Sequence, residues 1–448
     1  FDNPLIVNRG TSGAVSDEML ANLENVIAGR PAKIFLMIGT NDLGTEKPDN
    51  PEHIIRNVRH FVKRCKIESP TTKLYIQSIL PSNVGVRTLE IQRQTNKLLK
   101  ELCQQEKLTY IDLWEDLKGI PNGENYSLDR LHLTATGYRI WCKKIAEHVG
   151  SPCTYPDSAN NNYGGYGGSE GMRVSTFAMS RIDADDVLIV GDEMVHGGEW
   201  HELLNSGRVK SRGIGWGYPG PKIADITHSM HAILKGRNDN DEPAQIHLYA
   251  GAANITGGEV SLDSAITDYR TLIDEIKRLA PNSKVFVYSL IPRSDSSDNT
   301  NYVVPFNGKL QMLAAETGAA YVDLYTSLVA PNGAANISYI SENYVYGHGY
   351  VKIAQIIAPL MGGGVSALTD EAANRCYSTF KARAGLGNII RKIENISYET
   401  KPGQYSRSTI KFLQSKLPEA YDLLADQTTT NDRFIEKTIE LTNAYNPD

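Results

Sequence analysis

One stretch of this chain is written twice. PAKIFLMIGTNDLG at Pro31 to Gly44 returns as PAQIHLYAGAANITG at Pro243 to Gly257, and PTTKLYIQSILP ending at Pro81 returns as PNSKVFVYSLIP ending at Pro292. TYIDLWEDL around Asp112 returns as AYVDLYTSL around Asp323, so the register holds at an offset of 211 or 212 residues. The pattern is that of a tandem duplication, and it restricts the fold to one that occurs twice in a single polypeptide. It also lets each copy report which positions of the other have been altered.

Short apolar runs of strand length (Leu5 to Asn8, Lys33 to Ile38, Lys73 to Ile79, Leu108 to Leu113) alternate with stretches of helical apolar spacing such as Ile91, Leu98, Leu99 and Leu102. That alternation predicts right-handed βαβ units and an α/β fold with a parallel sheet covered on both faces. Ligands of such sheets bind at the carboxyl ends of the strands. The loops that follow the strands are therefore the places to look for chemistry.

In the first copy those loops read NRGTSG after Val7, GTND after Ile38 and DRLH at Asp129 to His132. An Asp three residues before a His gives an imidazole a carboxylate that fixes its tautomer and stabilises its protonated form. Taken together, NRG-x-SG, GTND and D-x-x-H resemble blocks II, III and V of the SGNH (GDSL-type) hydrolase family, in that order. The resemblance implies a flavodoxin-like three-layer α/β/α domain of strand order 2-1-3-4-5. It also implies Gly13 (backbone N–H) and Asn41 (side chain) as oxyanion donors, His132 as general base and Asp129 as its orienting partner. A tetrahedral ester intermediate develops one oxygen anion, and each preorganised donor to it is worth about 10²–10³ in rate. The plainer alternative has Gly13 present for backbone conformation and Asn41-Asp42 as a cap.

Block I of that family is a Gly-Asp-Ser turn after the first strand, and no such segment precedes Asn8. In the second copy DVLIVGDE (Asp186 to Glu193) precedes LLNSGRVKSRG, which aligns with FDNPLIVNRG and sets Leu204 opposite Phe1. Glu193 then holds the serine position, so the expectation is a nucleophilic serine 11 residues ahead of Phe1, just after a first strand that also lies upstream of Phe1.

The second copy departs from the family at every aligned catalytic position. The serine becomes Glu193, the block II glycine Trp216, the block III asparagine Ala253, and the Asp and His become Ser341 and Tyr344. A one-residue shift would offer Gly217 or Asn254 as donors, but none restores the nucleophile or the Asp-x-x-His pair. The same region gains Trp216, Tyr218, Tyr344 and Tyr346, with Trp200 nearby. These rings either suit the face of a sugar or plug an obsolete pocket, the plug being the favoured reading.

Composition narrows the remaining choices. A net charge of −6 over 448 residues leaves no electrostatic footprint for nucleic acid, and no apolar run approaches the ~20 residues that span a bilayer. Five cysteines show no metal-ligand spacing, and no metal or other cofactor is expected. The Gly/Asn/Tyr-rich stretch at 151–171 reads as a linker. Its GGSEG at Gly167 to Gly171 matches G-x-S-x-G only formally, since Ser169 lacks a strand before it and a helix after it. GWGYPG at Gly215 to Gly220 likewise makes a poor dinucleotide turn, with a proline where the helix should open.

Beyond Met361 three apolar stripes (Phe380 to Ile393, Ile410 to Leu424, Phe434 to Ile439) predict a three-helix bundle. KPGQYS at Lys401 to Ser406 resembles the FIVAR-type modules of bacterial surface and glycan-degrading proteins. The domain organisation expected is 1–150, a linker at 151–171, a degenerate copy at 172–363 and a helical module at 364–448. The function implied is that of an exported bacterial serine esterase that removes O-acetyl groups from glycans, in a setting that suits association with other glycan-degrading modules. A lipid or thioester acyl hydrolase, or a catalytically inactive glycan-binding scaffold, stays open at this point.

Overall fold

The computed structural model describes residues 1, 3–44, 51–119, 129–156, 168–215, 220–256, 261–396 and 404–446. The chain divides into two compact units: a smaller one of Arg9–Pro121 with Asn374–Asp448, and a larger one of Phe1–Asn8 with Asn122–Ala373. Each has its own apolar core.

In the smaller unit, strands β1 (Lys33–Leu36), β2 (Lys73–Gln77) and β3 (Thr109–Ile111) form a parallel sheet in the order β1-β2-β3. Helices Pro51–Glu68 and Leu89–Glu106 bury one face each, through residues such as Ile54, Phe61, Leu99 and Leu102. Parallel strands need such crossovers, and helical crossovers cover the sheet. Leu5 to Asn8, expected as a strand, is not one: a lone segment has no ladder to join, and Leu5, Ile6 and Val7 lie exposed.

The larger unit holds the full arrangement. Strands β4 (Val187–Gly191), β5 (Val209–Gly213), β6 (Gln245–Tyr249), β7 (Lys284–Tyr288) and β8 (Ala320–Val322) run parallel in the order β5-β4-β6-β7-β8. That is the flavodoxin-like 2-1-3-4-5 order. β4 is buried along its whole length, as a central parallel strand flanked by helices must be. A two-residue antiparallel hairpin, β9 (Ile340–Ser341) with β10 (Tyr344–Val345), follows the sheet.

The two copies share polar devices as well as sequence. Lys33 pairs with Lys73 and, at the repeat offset, Gln245 pairs with Lys284; Tyr75 with Thr109 is matched by Phe286 with Ala320. Ser78 Oγ accepts from Leu113 N at 2.9 Å, and Ser289 Oγ from Leu324 N at 2.9 Å. Asn96 accepts from Ile79 N and donates to Ile79 O, while Asn307 does the same with Leu290. Gly39 and Gly251 both sit at φ +113°, where a Cβ would strike Ile79 in one copy and Phe306 in the other. Each of the two asparagines satisfies a buried donor and a buried acceptor, so Asn96→Ala and Asn307→Ala should each cost about 2–4 kcal/mol. Denaturant unfolding of the two variants checks this; a loss below about 1 kcal/mol would mean that water replaces the amide without penalty.

The C-terminal helices complete the smaller unit. Leu386, Ile390 and Ile393 of helix Asp370–Glu394 pack with Leu413, Leu424, Phe434 and Leu441. The second predicted stripe is broken into Arg407–Ser415 and Leu417–Ala425, because Pro418 is suited to a first helical turn and cannot donate to a continuing one. Buried charge joins these helices to helix Pro51–Glu68. Arg64 pairs with Glu24 and Glu68, and Arg383 reaches the same two carboxylates at 3.0 and 2.6 Å. Glu394 accepts from Lys63, from Tyr421 Oη at 2.8 Å and meets His60 Nδ1 at 2.6 Å. Burial pushes the Glu394 carboxyl up, but His60 and Lys63 outweigh it and hold it down to about 2.

Candidate active site

Asp129 and His132 are brought together as their spacing predicts. Arg130 adopts the left-handed region, φ +64°, and this turns the chain so that His132 Nδ1 meets Asp129 Oδ2 at 2.6 Å. The other carboxylate oxygen, Oδ1, accepts from Leu131 N at 3.0 Å and from His132 N at 2.8 Å. Burial raises the carboxyl's affinity for a proton. The imidazole and the two amides overcome that and hold it down to about 2, so Asp129 is an anion throughout the neutral range. An anion at Nδ1 favours the tautomer with its proton on Nδ1, which makes Nε2 the basic nitrogen.

Gly13 lies in the turn ahead of helix Ser16–Ala21 with φ +77°, and a Cβ there would meet no atom within 4 Å, so its conformation and not its surroundings calls for glycine. Asn41 follows β1 by way of Gly39 and Thr40. Its Nδ2 donates to Ala14 O at 3.1 Å, which ties the block III amide to the block II turn, and Arg87 donates to its Oδ1 at 3.4 Å. An amide nitrogen carries two hydrogens, so the bond to Ala14 occupies one. Gly13 and Asn41 belong to the smaller unit, Asp129 and His132 to the larger.

Asp42, the residue after Asn41, does act as a cap, but of a helix earlier in the chain. It is fully buried and accepts from Ser16 N and Ser16 Oγ, while Asn57 Nδ2 donates to Ser16 Oγ at 2.8 Å. Asp42 thus holds the first amide of the helix that follows block II, fixing the turn that carries Gly13. Its counterpart Asn254 does the same for Ile223 N at 2.9 Å, which commits the Asn254 oxygen to structure. The signal was the polar residue retained at that position in both copies.

The altered positions of the second copy have acquired other surroundings. Glu193 opens the short helix Glu193–His196, and Asp192 caps it by accepting from Met194 N at 3.2 Å. Ala253 is buried, and Trp216, with Tyr218 and Gly217, lies outside the described residues. Ser341 and Tyr344 face each other across the β9–β10 hairpin, whose central residues Glu342 and Asn343 both have positive φ, 49° and 68°. A two-residue hairpin turn of this kind demands that conformation. The aromatic residues divide. Trp200 is fully buried, donates to Val195 O at 2.9 Å and meets the Tyr350 ring edge-on, whereas Tyr344 and Tyr346 are exposed and fill no core. Ser169 lies inside helix Gly168–Met179, so a helix does follow it, contrary to the expectation, and the expected linker is helical from Gly168. Because Ser169 is itself helical, it is not the turn residue of a strand-to-helix elbow. Among the described residues no cluster of metal-ligating side chains occurs.

Residues 1–140 match the model of the GDSL-like lipase/acylhydrolase family. Among solved structures, the chain is similar to a putative platelet activating factor from Streptococcus pneumonia, at 17% identity and a TM-score of 0.38, over 43% of this chain and 92% of that one. It is also similar to a GDSL-like lipase from Bacteroides thetaiotaomicron (17%, TM-score 0.34, 40% and 87%) and to a Clostridium thermocellum family 3 carbohydrate esterase (18%, TM-score 0.30, 40% and 98%). No curated protein matches.

Proposed function

We propose that the first copy hydrolyses small esters, specifically O-acetyl groups on glycans, through an acyl-serine intermediate with the block I serine as nucleophile. The observation that carries this reading is the Asp129–His132 pair, with its 2.6 Å contact and its doubly anchored carboxylate. His132 Nε2 takes the serine proton as the oxygen adds to the ester carbonyl, and Asp129 stabilises the imidazolium that forms. The Gly13 N–H and the second Asn41 N–H stabilise the oxyanion. The imidazolium then protonates the departing sugar hydroxyl, and water repeats the cycle on the acyl-enzyme.

Glycans are favoured as the alcohol half by the FIVAR-like stretch at Lys401 to Ser406 and by the exposed Tyr344 and Tyr346. No helix of the described residues is long and apolar enough to cross a membrane. An exported bacterial esterase working beside other glycan-degrading modules fits these features. The lipase/acylhydrolase description of the matching family supports the second reading, an acyl hydrolase of lipids or thioesters. Profiling p-nitrophenyl esters by chain length, with acetate release from acetylated polysaccharides and sialic acids, separates the two. Acetyl esters should be cleaved far faster than octanoyl ones. Preference for long chains with no acetate release would move the assignment to the second reading.

A further inference from the structure

The second copy keeps a pocket where the first is expected to do chemistry. A cavity of about 240 Å³ opens at the carboxyl ends of β4, β6 and β7, lined by Asp192, Glu193, Tyr249, Arg293, Tyr344 and Tyr350 among others. This is the place where open α/β sheets hold ligands. It is smaller than the pockets that take drug-sized molecules and suits a ligand of one ring.

Its polar lining is unusual in one respect. Asp192 is 1% exposed; its Oδ1 accepts from Met194 N at 3.2 Å and the Ala252 amide lies near the carboxyl, but Oδ2 makes no hydrogen bond of good geometry among the described residues. A buried polar atom left without a partner is costly, and such atoms in native folds call for an explanation. Burial, with Glu193 adding to it, pushes this carboxyl up to about 8, so at neutral pH it keeps its proton and both donates and accepts. Arg293 is already engaged, donating to Ala252 O at 2.8 Å and Thr256 Oγ1 at 2.7 Å and facing Asp298 at 3.5 Å. With three of the guanidinium's five donors engaged, its charge facing Asp298, and two carboxyl groups side by side, the pocket is poorly suited to an anion.

The rim is built at a cost too. Tyr344 is 45% exposed on a hairpin whose Glu342 holds a left-handed conformation that glutamate disfavours. Asn343 anchors that hairpin to the loop after β7 by accepting from Ser294 N at 3.0 Å. Tyr344 is therefore held in place among the residues that line the cavity, and its ring is a rigid group of low conformational entropy.

We propose that this pocket binds, without cleaving, a neutral hydroxyl-bearing molecule the size of a single sugar ring, with Asp192 and Glu193 hydrogen-bonded to its hydroxyls and Tyr344 against its face. The inference shares the exposed Tyr344 with the glycan preference proposed above but uses none of Gly13, Asn41, Asp129 or His132, so loss of sugar binding and loss of esterase activity are separable outcomes.

Titration calorimetry and ligand-observed NMR on the full chain test it, with glucose, galactose, mannose and N-acetylglucosamine as neutral probes and protonated glucosamine and choline as cationic ones. At least one neutral sugar should bind saturably with a roughly millimolar or lower Kd. Tyr344→Ala, an exposed change that leaves the core alone, should weaken it roughly tenfold. Asp192→Leu should abolish binding, and Asp192→Asn should retain it within a few-fold, because an amide also donates and accepts. Binding of no neutral sugar, preference for a cationic probe, or affinity unmoved by Tyr344→Ala would each overturn the proposal.

Discussion

His132→Ala should lower kcat for an aryl acetate by on the order of 10³ or more, while Tyr344→Ala at the aligned position of the second copy leaves it within a few-fold. The asymmetry follows from the two local structures. One position presents an imidazole locked by a carboxylate, and the other a hairpin tyrosine with Ser341 across the ladder. Asp129→Asn should cost nearly as much, because an amide no longer favours the tautomer with the proton on Nδ1. Steady-state kinetics on purified variants decide it. Equal losses from the two copies would show that the second site takes part in turnover.

The second large effect is on stability. Removing Arg64, which is 3% exposed between Glu24 and Glu68, should destabilise the smaller unit by about 3–5 kcal/mol, since breaking a buried pair leaves charge uncompensated. Arg383→Leu should behave similarly, as it pairs with the same two carboxylates. Replacing all four charged residues with apolar ones of similar volume should recover most of the loss. Chemical denaturation of the three variants provides the measurement. A loss below about 1 kcal/mol for Arg64→Leu would mean that water enters and solvates the pair.

Much of this architecture was legible in the sequence because parallel strands are dense apolar runs with short loops, and β1, β2 and β3 fall within the runs read from Lys33, Lys73 and Leu108. The Asp129–His132 contact was legible because it is local, closed by a single turn. Leu5 to Asn8 misled, since apolar character alone does not supply a strand with a neighbour. The break at Pro418 was in the sequence, but a single apolar stripe whose period carries from Ile410 to Leu424 concealed it. The pairing of Arg383 with Glu24 was beyond reach: charged residues at helical spacing ordinarily face solvent, and nothing local marks two that meet across 359 residues. The cavity beside Asp192 was hidden for a related reason, because an unfilled volume leaves no trace in composition.

That separation of 359 residues has a consequence in time. A ribosome adds about 5–20 residues per second, so the cluster of Glu24, Arg64 and Glu68 waits roughly 20 to 70 seconds after Glu24 is made before Arg383 exists to balance its second carboxylate. During that interval the segment Arg9–Pro121 is a nascent chain whose docking partner is still being translated, and its apolar faces are open to chaperones or to other chains. The stretch Asn122–Ala373 is contiguous and emerges ahead of Asn374–Asp448, so the earlier-made segment is among the last to finish folding.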